Sequence, residues 1–242
     1  MRPGPSSFAL VFALSVLILA GCKDDGTTPE QTGDLVVNAT AQAPNPSASG
    51  AAAGGPSRAP IGAPSSWLIG LYEFHISTNS DCSGPFVQAF SSGGAPSIQD
   101  FVTNPVLFTA TDLPIGSYPC VSMKITDVMS FQSAVSGGAC VAGTTYQGDV
   151  YPAGLEPFLD LSLGTIPATG TDAAPGEDGI FLMFSTTPSA VVGRGYSTNQ
   201  VVPLTSALVI PDEITFSWDA SNAVNDTGTS CNLEPDAPAF FW

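Results

Sequence analysis

Along most of the chain, apolar and polar residues alternate with the two-residue period of β-strands, not the 3.6-residue period of helices. In residues 67–77, WLIGLYEFHIS, Leu68, Tyr72, Phe74 and Ile76 fall on one face and Glu73 and His75 on the other. A short apolar run follows at 106–109. In residues 120–126, Val121, Met123 and Ile125 alternate with Ser122, Lys124 and Thr126, the pattern of a half-buried strand. Residues 159–163, LDLSL, alternate strictly, and residues 180–185, IFLMFS, are apolar almost throughout, as a central core strand would be. Two shorter runs, 201–204 and 207–210, come next, and Pro203 makes the first an edge or a bend. In 214–219, ITFSWD, Ile214, Phe216 and Trp218 share one face. Clusters of Gly, Pro, Asn and Asp separate the runs, and no stretch shows helical periodicity with caps. Eight to ten short strands spaced this way predict an all-β fold, an antiparallel β-sandwich forming a single domain over residues 67–242.

Before residue 67 the pattern changes. Residues 41–66 are rich in Pro, Ala, Gly and Ser and cannot bury enough apolar area to offset their ordering entropy. Residues 22–66 therefore read as a tether; a flexible chain of about 44 residues has an end-to-end distance of roughly 35–40 Å. One interruption, Leu35-Val36-Val37-Asn38-Ala39-Thr40, has strand character and predicts a returning edge strand over 35–40. The Pro/Gly stretch would then be a long loop inside the domain.

The start of the chain is a targeting segment. Residues 1–21 carry Arg2 and then an apolar run from Phe8 to Ala20, 13 residues long. A membrane-spanning helix needs about 20, so the run is too short to span and suits a secretory signal. It ends Leu19-Ala20-Gly21-Cys22, which resembles the lipobox of bacterial lipoproteins: a branched aliphatic residue, two small residues and a cysteine. The resemblance implies cleavage before Cys22, a diacylglyceryl thioether on its sulfur and acylation of the new amine. Two or more chains make a firm membrane anchor where one holds only marginally. Lys23-Asp24-Asp25 resemble the sorting signal of lipoproteins sent to the outer face of the outer membrane, with the periplasmic face as the alternative.

Charge and cysteine usage narrow the classes further. The formal net charge is −16, and loss of Arg2 with the leader makes it one more negative. Nucleic acid is not expected as a partner, because its recognition needs clustered Lys and Arg. Charged residues are only 11% of the chain against 43% apolar, so the acidity does not signal disorder. With Cys22 assigned to lipidation, Cys82, Cys120, Cys140 and Cys231 form an even set in an exported chain and predict two disulfides. Of the three pairings, adjacency of antiparallel strand ends favours Cys82–Cys120 with Cys140–Cys231. No C-x-x-C spacing occurs and His75 is the one histidine, which argues against zinc.

The segment 107–128 joins two strands through Leu-Pro-x-Gly-x-Tyr. It resembles the turn of prealbumin-like and carboxypeptidase-regulatory-like sandwiches over some 20 residues, and implies a sandwich fold but no functional residues. Pro114 fixes φ, Gly116 is expected to supply a positive φ, and Tyr118 to begin the next strand.

Candidate chemistry is sparse. The nucleophile elbow G-x-S-x-G, the zinc motif H-E-x-x-H and the phosphate-binding P-loop are all missing from the sequence. His75 is the single candidate base, and its place beside Glu73 on an alternating strand reads as a packed or surface histidine. Asp172, Glu177 and Asp178 in 170–179, and Asp219, Asn222, Asn225 and Asp226 in 219–228, offer oxygens to calcium. Neither loop has EF-hand spacing; both read first as solvated loops, and no cofactor is expected. The end APAFFW predicts a last strand packing Phe240 and Trp242. The sequence thus predicts a membrane-anchored lipoprotein with a non-catalytic structural or binding domain. The alternatives are an adhesin with a protein or carbohydrate ligand, and an extracytoplasmic hydrolase using His75 or paired acids.

Overall fold

Fourteen residues from Pro64 to Ser77 form the longest strand, β3, and the rest of the fold is arranged around it. The computed structural model describes residues 30–42, 60–149, 179–194, 201–235 and 238–241. The leader, Cys22, Lys23 to Asp25, the tether residues 43–59, the run 159–163, Asp172, Glu177, Asp178 and Trp242 lie outside the described residues. The chain is all-β, and its strands form mostly antiparallel sheets in a sandwich-like fold, with parallel pairing at two places.

One sheet has four strands. Its interior members are β1 (Thr32–Thr40) and β14 (Asp212–Ser217), which pair in parallel; β6 (Val106–Pro114) lies antiparallel on the far side of β1, and β17 (Ala239–Phe241) closes the other edge. The strand expected at an edge over 35–40 is therefore an inner strand, hydrogen-bonded on both sides. Its alternation explains the position: Leu35, Val37 and Ala39 are fully buried while Val36 and Asn38 are not.

The second sheet is built on β3. On one flank lie β4 (Phe86–Ser91) and β5 (Ser97–Asp100), both antiparallel to it. On the other flank β8 (Cys120–Ile125) pairs with the second half of β3, and β9 (Val128–Ser133) with the first half. Beyond them β11 (Ile180–Ser185) pairs with β8 and β10 (Thr145–Asp149) with β9. The edge strand β12 (Val201–Pro203) lies parallel to β11, as Pro203 predicted. Two ribbons complete the strands: β7 (Gly116–Tyr118) with β13 (Leu208–Ile210), and β2 (Pro60–Gly62) with β15 (Val224–Asp226) and β16 (Cys231–Leu233). A six-residue helix, α1, spans Pro188–Gly193. With Pro188 fixing its first turn and fewer than two turns in all, it is too short to show a hydrophobic period. No helix among the described residues is long and apolar enough to cross a membrane.

Between the sheets, Leu35, Val37, Phe108, Ile214 and Phe216 meet Trp67, Ile69, Phe74, Ile76, Met123 and Phe184. The rings interlock: Phe184 to Phe240 is 4.7 Å, Phe216 to Phe240 5.2 Å and Phe74 to Phe108 5.0 Å between centroids. Burying each such side chain contributes about 1.5–3 kcal/mol. Phe240 packs as the sequence predicts.

Two details correct the sequence reading. The register of β3 on β8 shifts between Leu71 and Glu73. This bulge changes the phase of the strand, so Trp67, Ile69 and Leu71 face the core before it and Phe74 and Ile76 after it. Leu68 is consequently exposed, and Tyr72 lies outside the main core. Gly116, in the turn after β6, does not have a positive φ; the positive φ in this segment is that of Asp112 (58°), near the end of β6 itself. Tyr118 does enter a strand, and its hydroxyl donates to the Pro114 carbonyl at 2.6 Å, a tie like the tyrosine corner of sandwiches. The disulfides are Cys82–Cys120 and Cys140–Cys231, with Cα separations of 5.5 and 4.8 Å.

Candidate functional site

The bulge in β3 also sets which polar groups come together. Past it, Glu73, His75 and Ser77 point away from the main core. Register then fixes their neighbours: Glu73 lies opposite Lys124, His75 opposite Ser122 and Ser77 opposite Cys120 on β8. On the other side of β8, Lys124, Ser122 and Cys120 lie opposite Phe181, Met183 and Ser185 of β11. His75 also faces Gln88 on β4. A small apolar cluster packs on this outer face, made of the Cys82–Cys120 disulfide, Phe181, Met183, Val191 of α1 and Val201, with Phe86 against it.

His75 is 7% exposed beneath this cover. Its ring stands edge-on to Phe86 at 6.3 Å, and its Nε2 lies 3.3 Å from Gln88 Nε2 and 3.7 Å from Glu73 Oε2. Burial pushes the imidazole below its usual pKa of 6.5, and the Glu73 carboxylate pulls weakly the other way. His75 Nδ1 and Ser122 Oγ are both buried without a hydrogen-bond partner among the described residues. Serine, histidine and glutamate thus stand side by side. However, Ser122 is fully buried, so its hydroxyl cannot meet a substrate in this arrangement. What the trio offers is a neutral imidazole held under an apolar lid. Lys124 sits in a box of its own, its Nζ 5.2 Å from the centre of the Tyr72 ring and 5.6 Å from that of Phe181.

The acidic loop at 219–228 serves the fold. Asp219 Oδ1 accepts from the backbone N–H and hydroxyl of Ser221 at 2.9 and 2.6 Å. Asp226 Oδ1 accepts from the N–H groups of Ala139 and Gly228 at 3.1 and 2.8 Å, which hold its carboxyl below the usual range. Asn225 is buried and donates to the Ala223 carbonyl at 3.0 Å, while Asn222 is exposed. Among the described residues no group of three or more His, Cys, Asp or Glu side chains is placed to share a metal ion. Asp81 likewise caps its own loop: a hydrogen bond with the Ser83 side chain, and behind it the Ser83 backbone N–H at 3.0 Å, lower its pKa.

Sequence reading picked out His75 and Glu73 but missed Ser122 and Gln88, which only strand register brings to them. It also missed the aromatic box, since Lys124 and Phe181 sit on strands distant in sequence. No protein-family model, curated protein sequence or solved structure matches the chain.

Proposed function

We propose that this chain is an exported lipoprotein, anchored through Cys22 in the outer membrane and displaying one disulfide-bonded β-sandwich in a structural or binding role. The observation that carries the reading is the cysteine arrangement. The two disulfides use Cys82, Cys120, Cys140 and Cys231, and the one cysteine outside them is Cys22, the last residue of Leu19-Ala20-Gly21-Cys22. Disulfides persist in oxidising compartments, and a free thiol at that position is what lipid transfer needs. The sandwich supports a non-catalytic role through its one histidine, which is packed against Phe86 with its serine neighbour sealed in. The test is the mass of the N-terminal peptide from the native host. A chain that begins at Cys22 with a diacylglyceryl thioether supports the reading, as does Cys22→Ala leaving the protein out of the membrane fraction. An unmodified Cys22 sulfur overturns it.

A further inference from the structure

The inner position of β1 changes how far the domain stands from an anchor. Strand pairing begins at Thr32, opposite Pro114, and the Gln31 carbonyl accepts the Ile115 N–H at 2.9 Å. The chain therefore joins the fold beside Ile115. From Cys22 to Gln31 there are nine residue steps, which span at most about 32 Å even when fully extended. Where that chain enters, the β7–β13 ribbon turns one face to solvent. Gly116, Tyr118, Leu208 and Ile210 point inward or are partly covered. Register puts Ser117 opposite Val209 and Gly116 opposite Ile210, so Ile115, Ser117 and Val209 share the outer face. Ile115 is 46% and Val209 50% exposed, and Pro211, next along the chain, is exposed as well.

We propose that this ribbon face rests on the phospholipid surface in which Cys22 is anchored, with Ile115, Val209 and Pro211 in the headgroup layer. The proposal rests on the lipid-anchor reading above. Three apolar side chains are too few to bring a free domain to a bilayer. A short tether makes the contact intramolecular, so a weak interaction is enough. The acids fix the headgroup type: Asp34, Asp112 and Asp212 lie within three residues of Gln31, Ile115 and Pro211 respectively, and repel an anionic surface. The lipid is therefore zwitterionic.

The experiment uses the full lipidated chain, after mass measurement of its N-terminal peptide, reconstituted in phosphatidylcholine vesicles with dibrominated acyl chains. Two exposed sites receive a tryptophan, V209W on the ribbon and T229W in the turn between β15 and β16. That turn belongs to the β2–β15–β16 sheet, separate from the β7–β13 ribbon, with β14 between them in the chain. The fluorescence added by V209W is expected to be quenched several-fold more than that added by T229W, and less in phosphatidylglycerol than in phosphatidylcholine. In the unsubstituted chain, the amides of residues 115–118 and 208–210 are expected to exchange more slowly on vesicles than in the same chain made without its leader, and so without lipid. Equal quenching at both sites, or unchanged exchange, overturns the contact; stronger quenching in phosphatidylglycerol overturns the choice of headgroup. A missing lipid on Cys22 overturns the anchor itself, and the mass measurement identifies that case separately.

Discussion

At the scale of single residues, His75 carries a measurable consequence. The folded chain holds this imidazole neutral below its usual pKa, while the unfolded chain takes up a proton near pH 6.5. The unfolded state binds more protons between those two values, so stability falls as pH drops from about 6.5 toward the folded value. Urea denaturation midpoints between pH 7 and 5.5 are expected to decline in the native chain and to decline less in His75→Gln. Glu73 opposes the shift, so Glu73→Gln is expected to steepen the decline. A second residue-level prediction concerns Gly70. A Cβ there would lie 2.5 Å from Thr126 Cγ2 and 2.7 Å from Pro96 Cβ, while the Gly70 N–H donates to Thr126 Oγ1 and its carbonyl accepts the Thr126 N–H. Gly70→Ala is expected to cost about 1–3 kcal/mol of unfolding free energy by overpacking, read as a lowered urea midpoint. Alternation alone had identified Val121, Met123 and Ile125 as core residues. It could not identify Gly70, because the Thr126 methyl that crowds it belongs to the link between β8 and β9.

At the scale of elements, the disulfides staple two long loops, with sequence separations of 38 and 91. Removing either one by paired Cys→Ser substitution is expected to cost about 2–5 kcal/mol, and the Cys140–Cys231 pair about 0.8 kcal/mol more than the other, since loop-closure entropy grows with the logarithm of length. Denaturant titrations of the two double variants give that order directly. The Cys140–Cys231 loop is also fastened by Asp226, whose carboxylate crosses to the Ala139 N–H. Its lowered pKa means that this fastening is fully present above the ordinary carboxylate pKa and is lost as pH falls through the folded value. Asp226→Asn is expected to lower the neutral plateau of the stability profile and leave its low-pH end unmoved, which flattens the acid limb. The core strands β3, β8 and β14 were legible because their apolar residues repeat every second position, whereas β4, β5, β9 and β10, with weaker patterns, were not anticipated. The bulge in β3 was not: an extra residue leaves no mark on composition, and its effect appears only where β8 sets the register. The sequence showed strand character at 35–40 but not the parallel pairing, since nothing within nine residues specifies a partner so far along the chain.

At the scale of the molecule, the last strand closes the core. Phe240, 6% exposed, touches the rings of Phe74, Phe184 and Phe216, and so joins both sheets at one point. Phe240→Ala is expected to cost about 3–5 kcal/mol and to lower the thermal midpoint with the fold otherwise retained, checked by calorimetry and near-ultraviolet circular dichroism. The all-β class was readable from strand spacing, although the described residues hold seventeen strands where eight to ten were expected. The division of strands between sheets was not, because β1, β6, β14 and β17 alternate in the chain with the strands of the other sheet.

The parallel pairing of β1 with β14 orders events in time. The hydrogen bond from Asn38 to Glu213 joins residues 175 apart, so the first strand to be synthesised waits for nearly the whole polypeptide before gaining its inner partner. Contacts this distant form slowly. A nascent chain therefore cannot complete its four-stranded sheet until β14 has been made. Until then the inner edge of β1 is left without its partner, and the fold sets only when the two ends of the polypeptide meet.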